Sequence, residues 1–267
     1  MSNDLDKPRQ GIQSIEVGAR LLRALANSGR PTMLRDLAKD AGMPAAKAHR
    51  YLVSFVRMGL VEQDPASSRY ALGPFALELG LACLGRLDPV RIAGPILDEL
   101  CEAIQETVAL AVWGNRGPTI VRLAEPPGPI NVTLRAGTVL PLTTSATGRA
   151  FSAFLRSPAL KRIADDEMKS LAAATPGLTL AELKRDFEAS QSEAKENGVG
   201  RASGSLSPGV NGFSAPVFDY TGEMVAAVTT LGAVGHLDSR VDSAPITALK
   251  DAAEQLSSLL GHAATPL

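Results

Sequence analysis

Three basic side chains stand at helical spacing in one short stretch: Lys47, Arg50 and Arg57, with Ala46 and Ser54 on the same side. At 100° per residue they share one side of a helix, while Ala48, Leu52, Phe55 and Val56 fall on the other. His49 and Tyr51 lie on the flanks. The polar side carries no carboxylate. Lys and Arg so placed can reach phosphates and guanine edges, as a helix in a DNA major groove must. A solvated helix on a small helical domain is the plainer reading, and the helix alone does not choose between them. A second cluster is Thr143-Thr144-Ser145-Ala146-Thr147-Gly148, leading into an apolar helix. Unbonded amides at a helix start, with hydroxyls beside them, suit an anion. The plainer reading of Ser145 is a helix cap and nothing more.

Other chemistries lack their residues. No Gly-x-Ser-x-Gly elbow and no phosphate-binding loop occurs. Cys83 and Cys101 make no disulfide framework, and His49, His236 and His262 are scattered, so no metal or cofactor is expected. Asp165-Asp166-Glu167 reads as a solvated helix face. An enzyme is not expected.

The elements that position the basic helix run from residue 32 to 72. Thr32 is placed to cap a helix burying Leu34, Leu37 and Ala38. Gly42 ends it, Pro44 opens the next, and Gly59 closes that one. Residues 60–63 and 69–72 then alternate as strands around Asp64-Pro65-Ala66-Ser67-Ser68, a turn composition. Helix, helix and hairpin in this order form a winged helix-turn-helix. Arg69 would lie near the DNA backbone, with Arg35 on the preceding helix as a further candidate contact.

This segment resembles the DNA-binding half of the IclR-type bacterial transcription regulators. The family pattern has a Gly-Leu-Pro turn, His-Arg-Leu-Leu, Gly-Tyr-Val and a Tyr-x-Leu-Gly-Pro exit. Met43-Pro44, His49-Arg50-Tyr51-Leu52, Gly59-Leu60-Val61 and Tyr70-Ala71-Leu72-Gly73-Pro74 match it. The family usually has Ser and Thr early in its recognition helix, where Ala46 and Lys47 stand here.

Charge follows the same division. The 267 residues carry a net −1, but residues 1–80 hold 11 Lys and Arg against 8 Asp and Glu, and residues 81–267 hold 16 against 20. The positive field is confined to the proposed DNA-binding half and is modest, so tight binding needs two copies. No apolar run is long enough to span a membrane, and the polar N-terminus has no signal-peptide core. A cytoplasmic protein is expected.

Along the rest of the chain, residues 1–11 are expected to be disordered. A first helix over 14–27 buries Ile15, Leu21, Leu22 and Leu25. Residues 74–87 form a linking helix, packed either in a core or against another copy or domain. Asp88-Pro89 starts a helix to about residue 106. Residues 107–114, 118–125 and 130–135 read as strands, 145–155, 160–171 and 180–197 as helices, and 198–209 as a loop. A hairpin of 211–219 and 224–232 and a helix over 245–260 complete the chain. The fold class is α+β: a winged helix-turn-helix over 1–73, a linking helix over 74–87, and an antiparallel sheet flanked by helices over 88–267.

That C-terminal part resembles the family's GAF-like effector-binding domain. Residues 137–155 and 209–233 look like its two signature stretches, with Gly148-Arg149-Ala150 for the usual Gly-Lys-Ala. The family's acidic pair is replaced by Ser203-Gly204-Ser205-Leu206-Ser207. The resemblance implies that an effector carboxylate is received around Thr144, Ser145, Ala146, Thr147 and Gly148, with Ser203, Gly212, Phe213, Thr229 and Leu231 alongside. Trp113 is either a cover for the ligand or plain core. The expected partners are double-stranded operator DNA, a small organic acid, an aromatic one among them, and a second copy in a homodimer or homotetramer.

Overall fold

The computed structural model describes residues 11–84, 88–127 and 134–262. The chain divides into two compact units, Met1–Leu87 and Asp88–Leu267. The expectation for the first ten residues lies outside the described part.

In the first unit, α1 (Gln13–Ser28), α2 (Leu34–Asp40) and α3 (Ala45–Arg57) are followed by β1 (Val61–Gln63), β2 (Tyr70–Leu72) and α4 (Pro74–Leu84). Leu21, Leu25, Leu37, Ala48, Leu52, Val61 and Tyr70 make the core. Gly42 and Gly59 both take positive φ at the ends of α2 and α3, where an L-side chain would be strained. Gly73 is fixed by space instead: a Cβ there would lie 2.4 Å from the Gly59 carbonyl oxygen.

Three expectations are corrected here. Thr32 caps nothing. Met33 holds the N-cap position of α2, and Thr32 exchanges two backbone hydrogen bonds of 2.9 Å with Tyr70, adding a third rung-bearing segment to the wing. A β-branched residue such as Thr32 favours that extended backbone. Ile15 is exposed, because α1 turns Val17, Leu21 and Leu25 inward. Val56 is 40% exposed, so the buried stripe of α3 rests on Ala48 and Leu52, with Phe55 half-buried against the core. In α4 the large apolar side chains Phe75, Leu77, Leu79 and Leu81 are all exposed, on more than one side of the helix. The predicted end of this helix, residues 85–87, is not among those described.

The second unit is a five-stranded antiparallel sheet in the order β4-β3-β7-β6-β5. Its strands are β3 (Thr107–Gly114), β4 (Gly117–Ala124), β5 (Gly200–Ser203), β6 (Val210–Phe218) and β7 (Met224–Ala233). α5 (Pro89–Ile104) and α9 (Ala244–Leu259) pack on one face. α6 (Ala146–Phe154) covers the other, with α8 (Leu180–Asn197) against it and α7 (Pro158–Ala174) against α8. Asp88 caps α5 through the Val90 and Arg91 amides, at 3.0 and 3.3 Å. Thr179 and Glu182 form a reciprocal capping box at α8.

β5 corrects the expectation of a loop over 198–209. Gly200-Arg201-Ala202-Ser203 has no β-branched residue, begins with a glycine and is followed by Gly204, so it carries no strand pattern; pairing with β6 makes it the edge strand. Of the strand expected over 130–135, residues 130–133 lie outside the described part. Beyond them the chain turns and then runs along β4, with a bridge between Val139 and Thr119 and backbone hydrogen bonds from Gly137 to Ile120, from Ile120 to Thr138 and from Leu140 to Pro118. Among the described residues no helix is long and apolar enough to cross a membrane.

Candidate functional sites

On α3, Ala46, His49, Arg50, Ser54 and Arg57 are exposed and Lys47 is half-buried. Ala46, Arg50 and Ser54 follow one another at i, i+4 and i+8 on one stripe. The first turn of α3 has no acidic residue, so its positive end is uncompensated. Among the described residues, no carboxylate lies within ion-pair distance of Lys47, Arg50 or Arg57. Arg35 is exposed and pairs with its neighbour Asp36 at 3.3 Å; such a pair is worth little and yields readily to a phosphate. Arg69 is more constrained, donating to the Pro31 carbonyl at 3.2 Å, which ties the wing to the turn before α2. At the wing tip Asp64 accepts from the Ala66 amide and the Ser67 hydroxyl. These hydrogen bonds hold its carboxyl below the usual carboxylate range.

The second unit has a cavity of about 450 Å³ where α6 begins. Leu140, Ala146, Ala202, Leu206, Gly212 and Leu231 supply its apolar wall, with Thr138 and Ser207 as hydroxyls, and no charged side chain lines it among the described residues. Ala146, Gly212 and Leu231 are thus brought together as the sequence suggested.

The start of α6 is closely stitched. Ser145 is its N-cap, accepting from the Gly148 amide at 2.8 Å and donating to the Pro141 carbonyl at 2.6 Å. Gly148 has no room for a side chain, since a Cβ would sit 2.1 Å from the Pro141 oxygen. The Arg149 amide bonds to the Ser145 carbonyl, whereas the Ala146 and Thr147 amides have no acceptor among the described residues. Thr144 is half-buried and its carbonyl accepts from Ser205 Oγ at 2.8 Å. The side chains of Thr147 and Thr229 do not open into the cavity. Their hydroxyls meet at 2.9 Å, Thr229 also meets Ser214 at 2.8 Å, and all three are buried between α6 and the sheet.

Three other proposed contacts lie elsewhere, for reasons of strand geometry. Phe213 stands between Gly212 and Ser214 on β6, opposite Thr230, so it points to the other face of the sheet. Ser203 alternates with Ala202 in the same way, and its hydroxyl donates to Asn211 Oδ1 at 2.8 Å. Trp113 shares the cavity's face but not its position. It pairs with Pro118 at the far end of β3, six residues from Thr107, which pairs with Leu231; that is about 20 Å along a strand. There it packs on Phe151, ring centres 5.8 Å apart, in the cluster beneath α7 and α8.

Two charged residues have roles that the sequence reading did not assign, and Glu167 corrects it: expected on a solvated face with Asp165 and Asp166, it is half-buried and bonded to backbone. Arg149 donates to the Thr143 carbonyl at 3.3 Å and the Arg201 carbonyl at 2.6 Å, joining α6 to the edge strand. Burial lowers its pKa, partly offset by Glu193. Glu167, on α7, accepts from the Leu142 and Thr143 amides at 2.9 and 3.0 Å and from Thr143 Oγ1 at 3.0 Å. Neither has a local sequence signal, because most of their partners are backbone groups, and those of Glu167 and the Arg201 carbonyl lie in distant segments.

Comparison with known proteins agrees with this geometry. Residues 14–65 match the IclR helix-turn-helix domain, and residues 81–258 match the bacterial transcriptional regulator IclR C-terminal domain. A glycerol operon regulatory protein from Streptomyces griseus is 33% identical over 257 residues, covering 94% of this chain and 98% of that protein. The transcriptional repressor IclR of Escherichia coli is 27% identical over 248 residues, covering 91% and 88%. The crystal structure of Pseudomonas aeruginosa HmgR is 34% identical with a TM-score of 0.84, covering 95% of this chain and all of that one. These relatives are regulators, and the winged unit and sheet unit described above are the DNA-binding and effector-binding parts of such a protein. The chain belongs to the IclR family of bacterial transcription regulators.

Proposed function

We propose that this regulator binds operator DNA as a homodimer or homotetramer in the cytoplasm, and that a small carboxylic acid in the cavity beside α6 controls it. The observation that carries the effector class is the pairing of two amides, Ala146 and Thr147, that have no acceptor among the described residues, with an apolar cavity wall that has no charged side chain among them. An anion at a partly buried helix start gains up to about 2 kcal/mol. Micromolar affinity needs about 8 kcal/mol. The balance has to come from apolar burial, about 25 cal/mol per Å², so the acid needs a sizeable apolar or aromatic body.

On the DNA side, Ala46, Lys47, His49, Arg50, Ser54 and Arg57 form the face that enters the major groove, while Arg35 and Arg69 hold phosphates. α4 supports the dimer, because its exposed Phe75, Leu77, Leu79 and Leu81 need cover. Two half-sites about one helical turn apart, or a multiple of it, follow from a twofold assembly.

A thermal-shift screen of carboxylic acids beside their uncharged amides tests the effector class. A ligand at 100 times its Kd adds about 2.7 kcal/mol to the folded state. Benzoate-like acids should raise Tm and their amides should not. Equal shifts from acid and amide would contradict a carboxylate site. A larger shift from glycerol, the word in the Streptomyces relatives' name, would move the effector to another class.

A further inference from the structure

We propose that Glu167 is a positioning residue for the effector site: its carboxylate fills an anion-binding pair of amides just before α6 and thereby fixes where a bound acid can dock. This rests on the carboxylic-acid reading above.

The geometry is specific. Leu142 and Thr143 present consecutive backbone amides to one carboxylate, one to each oxygen, and the Thr143 hydroxyl adds a third bond. Leu142 and Thr143 are both buried. Charge-assisted bonds of this kind are stronger than neutral ones. The carboxylate comes from α7, about 25 residues along the chain, so it pins a distant helix to the segment that leads into α6. That segment is held at other points too: Ser145 to Pro141, Arg149 to Thr143 and Ser205 to Thr144. The Ala146 and Thr147 amides, three and four residues past Thr143, have no acceptor among the described residues.

Two consequences follow. First, Glu167 preorganises the turn, so a ligand carboxylate meets amides already aimed at it. Second, it occupies the competing amide pair. Without it, Leu142 and Thr143 would offer a second anion site in the same turn, and a small acid would divide between the two.

The test uses the full-length protein, formate as a stand-in for the lost carboxylate, and benzoate as the ligand probe. Glu167→Ala should lower Tm, and millimolar formate should restore part of that loss while leaving wild type unmoved. Formate acting equally on both proteins, or on neither, would overturn the claim that these amides hold an exchangeable carboxylate. Benzoate affinity should fall about tenfold in Glu167→Ala, with operator affinity unchanged, and formate should recover it. Glu167→Gln, which keeps the shape but donates where it must accept, should fall between. Met168→Ala controls for instability: it empties a buried position on the same helix, and formate should change neither its Tm nor its benzoate affinity. Loss of benzoate binding that formate never recovers, or recovery in Met168→Ala as well, would overturn the positioning role. If wild type itself fails to bind benzoate while formate rescues the Tm of Glu167→Ala, the acid reading fails and the carboxylate nest stands.

Discussion

Arg50 lies on the exposed stripe of α3 with no carboxylate in ion-pair reach among the described residues. Arg50→Ala should weaken operator binding by about 1–3 kcal/mol if the guanidinium reads a guanine, and less if it holds a phosphate. A gel shift at fixed salt distinguishes these, because a phosphate contact also lowers the salt slope by about 0.9; unchanged affinity would remove Arg50 from the interface. Trp113 gives the opposite prediction. It packs against Phe151 at the far end of β3 from the cavity, so Trp113→Phe should reduce stability by loss of packing and leave acid affinity within about twofold. A large loss of affinity would return it to the ligand site. At this scale the sequence was legible where one residue's chemistry sufficed. Ser145 as a cap and Gly42 and Gly59 as helix ends could be read directly. Phe213 and Ser203 could not, because a position in a signature stretch does not state which face of a strand the side chain takes. Glu167 was hidden for a different reason, since backbone amides carry no mark in a sequence.

Helices with strong boundary residues, such as α5 after Asp88-Pro89 and α8 with its capping box, were placed from sequence within a residue or two. β5 was not, because an edge strand of four small and polar residues is specified by its partner β6 rather than by its own pattern. Thr32 failed as a cap for the same reason: pairing with Tyr70 outweighed a local preference. α4 matters most for function at this scale. Its residues 75, 77, 79 and 81 expose apolar surface to solvent in the single chain, and a helix apolar on several sides belongs in an interface. Leu77→Glu with Leu81→Glu should shift the protein toward monomer in analytical ultracentrifugation, with little loss of winged-unit stability because neither side chain is buried there. Operator affinity should drop with it, as two half-sites can no longer be held together. A double variant that remains dimeric would place the interface elsewhere.

The chain as a whole pairs a net +3 in residues 1–80 with a net −4 in residues 81–267. That division suits one part that meets a polyanion and another that does not. The family match covers both parts, and it was readable because the wing and the two signature stretches hold their spacing. Ligand class was less legible, since it depends on which side chains line the cavity once the sheet has formed. Anisotropy of labelled operator DNA, titrated with protein at several concentrations of an active acid, tests the combined account most directly when wild type is compared with Ala146→Asp. The new carboxylate would sit at the cavity wall beside the Ala146 and Thr147 amides, which have no acceptor among the described residues, and repel an anion. Wild type should show an operator affinity that moves with acid concentration, while Ala146→Asp binds DNA equally well without acid and no longer responds. A variant that still responds at the same acid concentration as wild type would contradict the placement of the effector at α6.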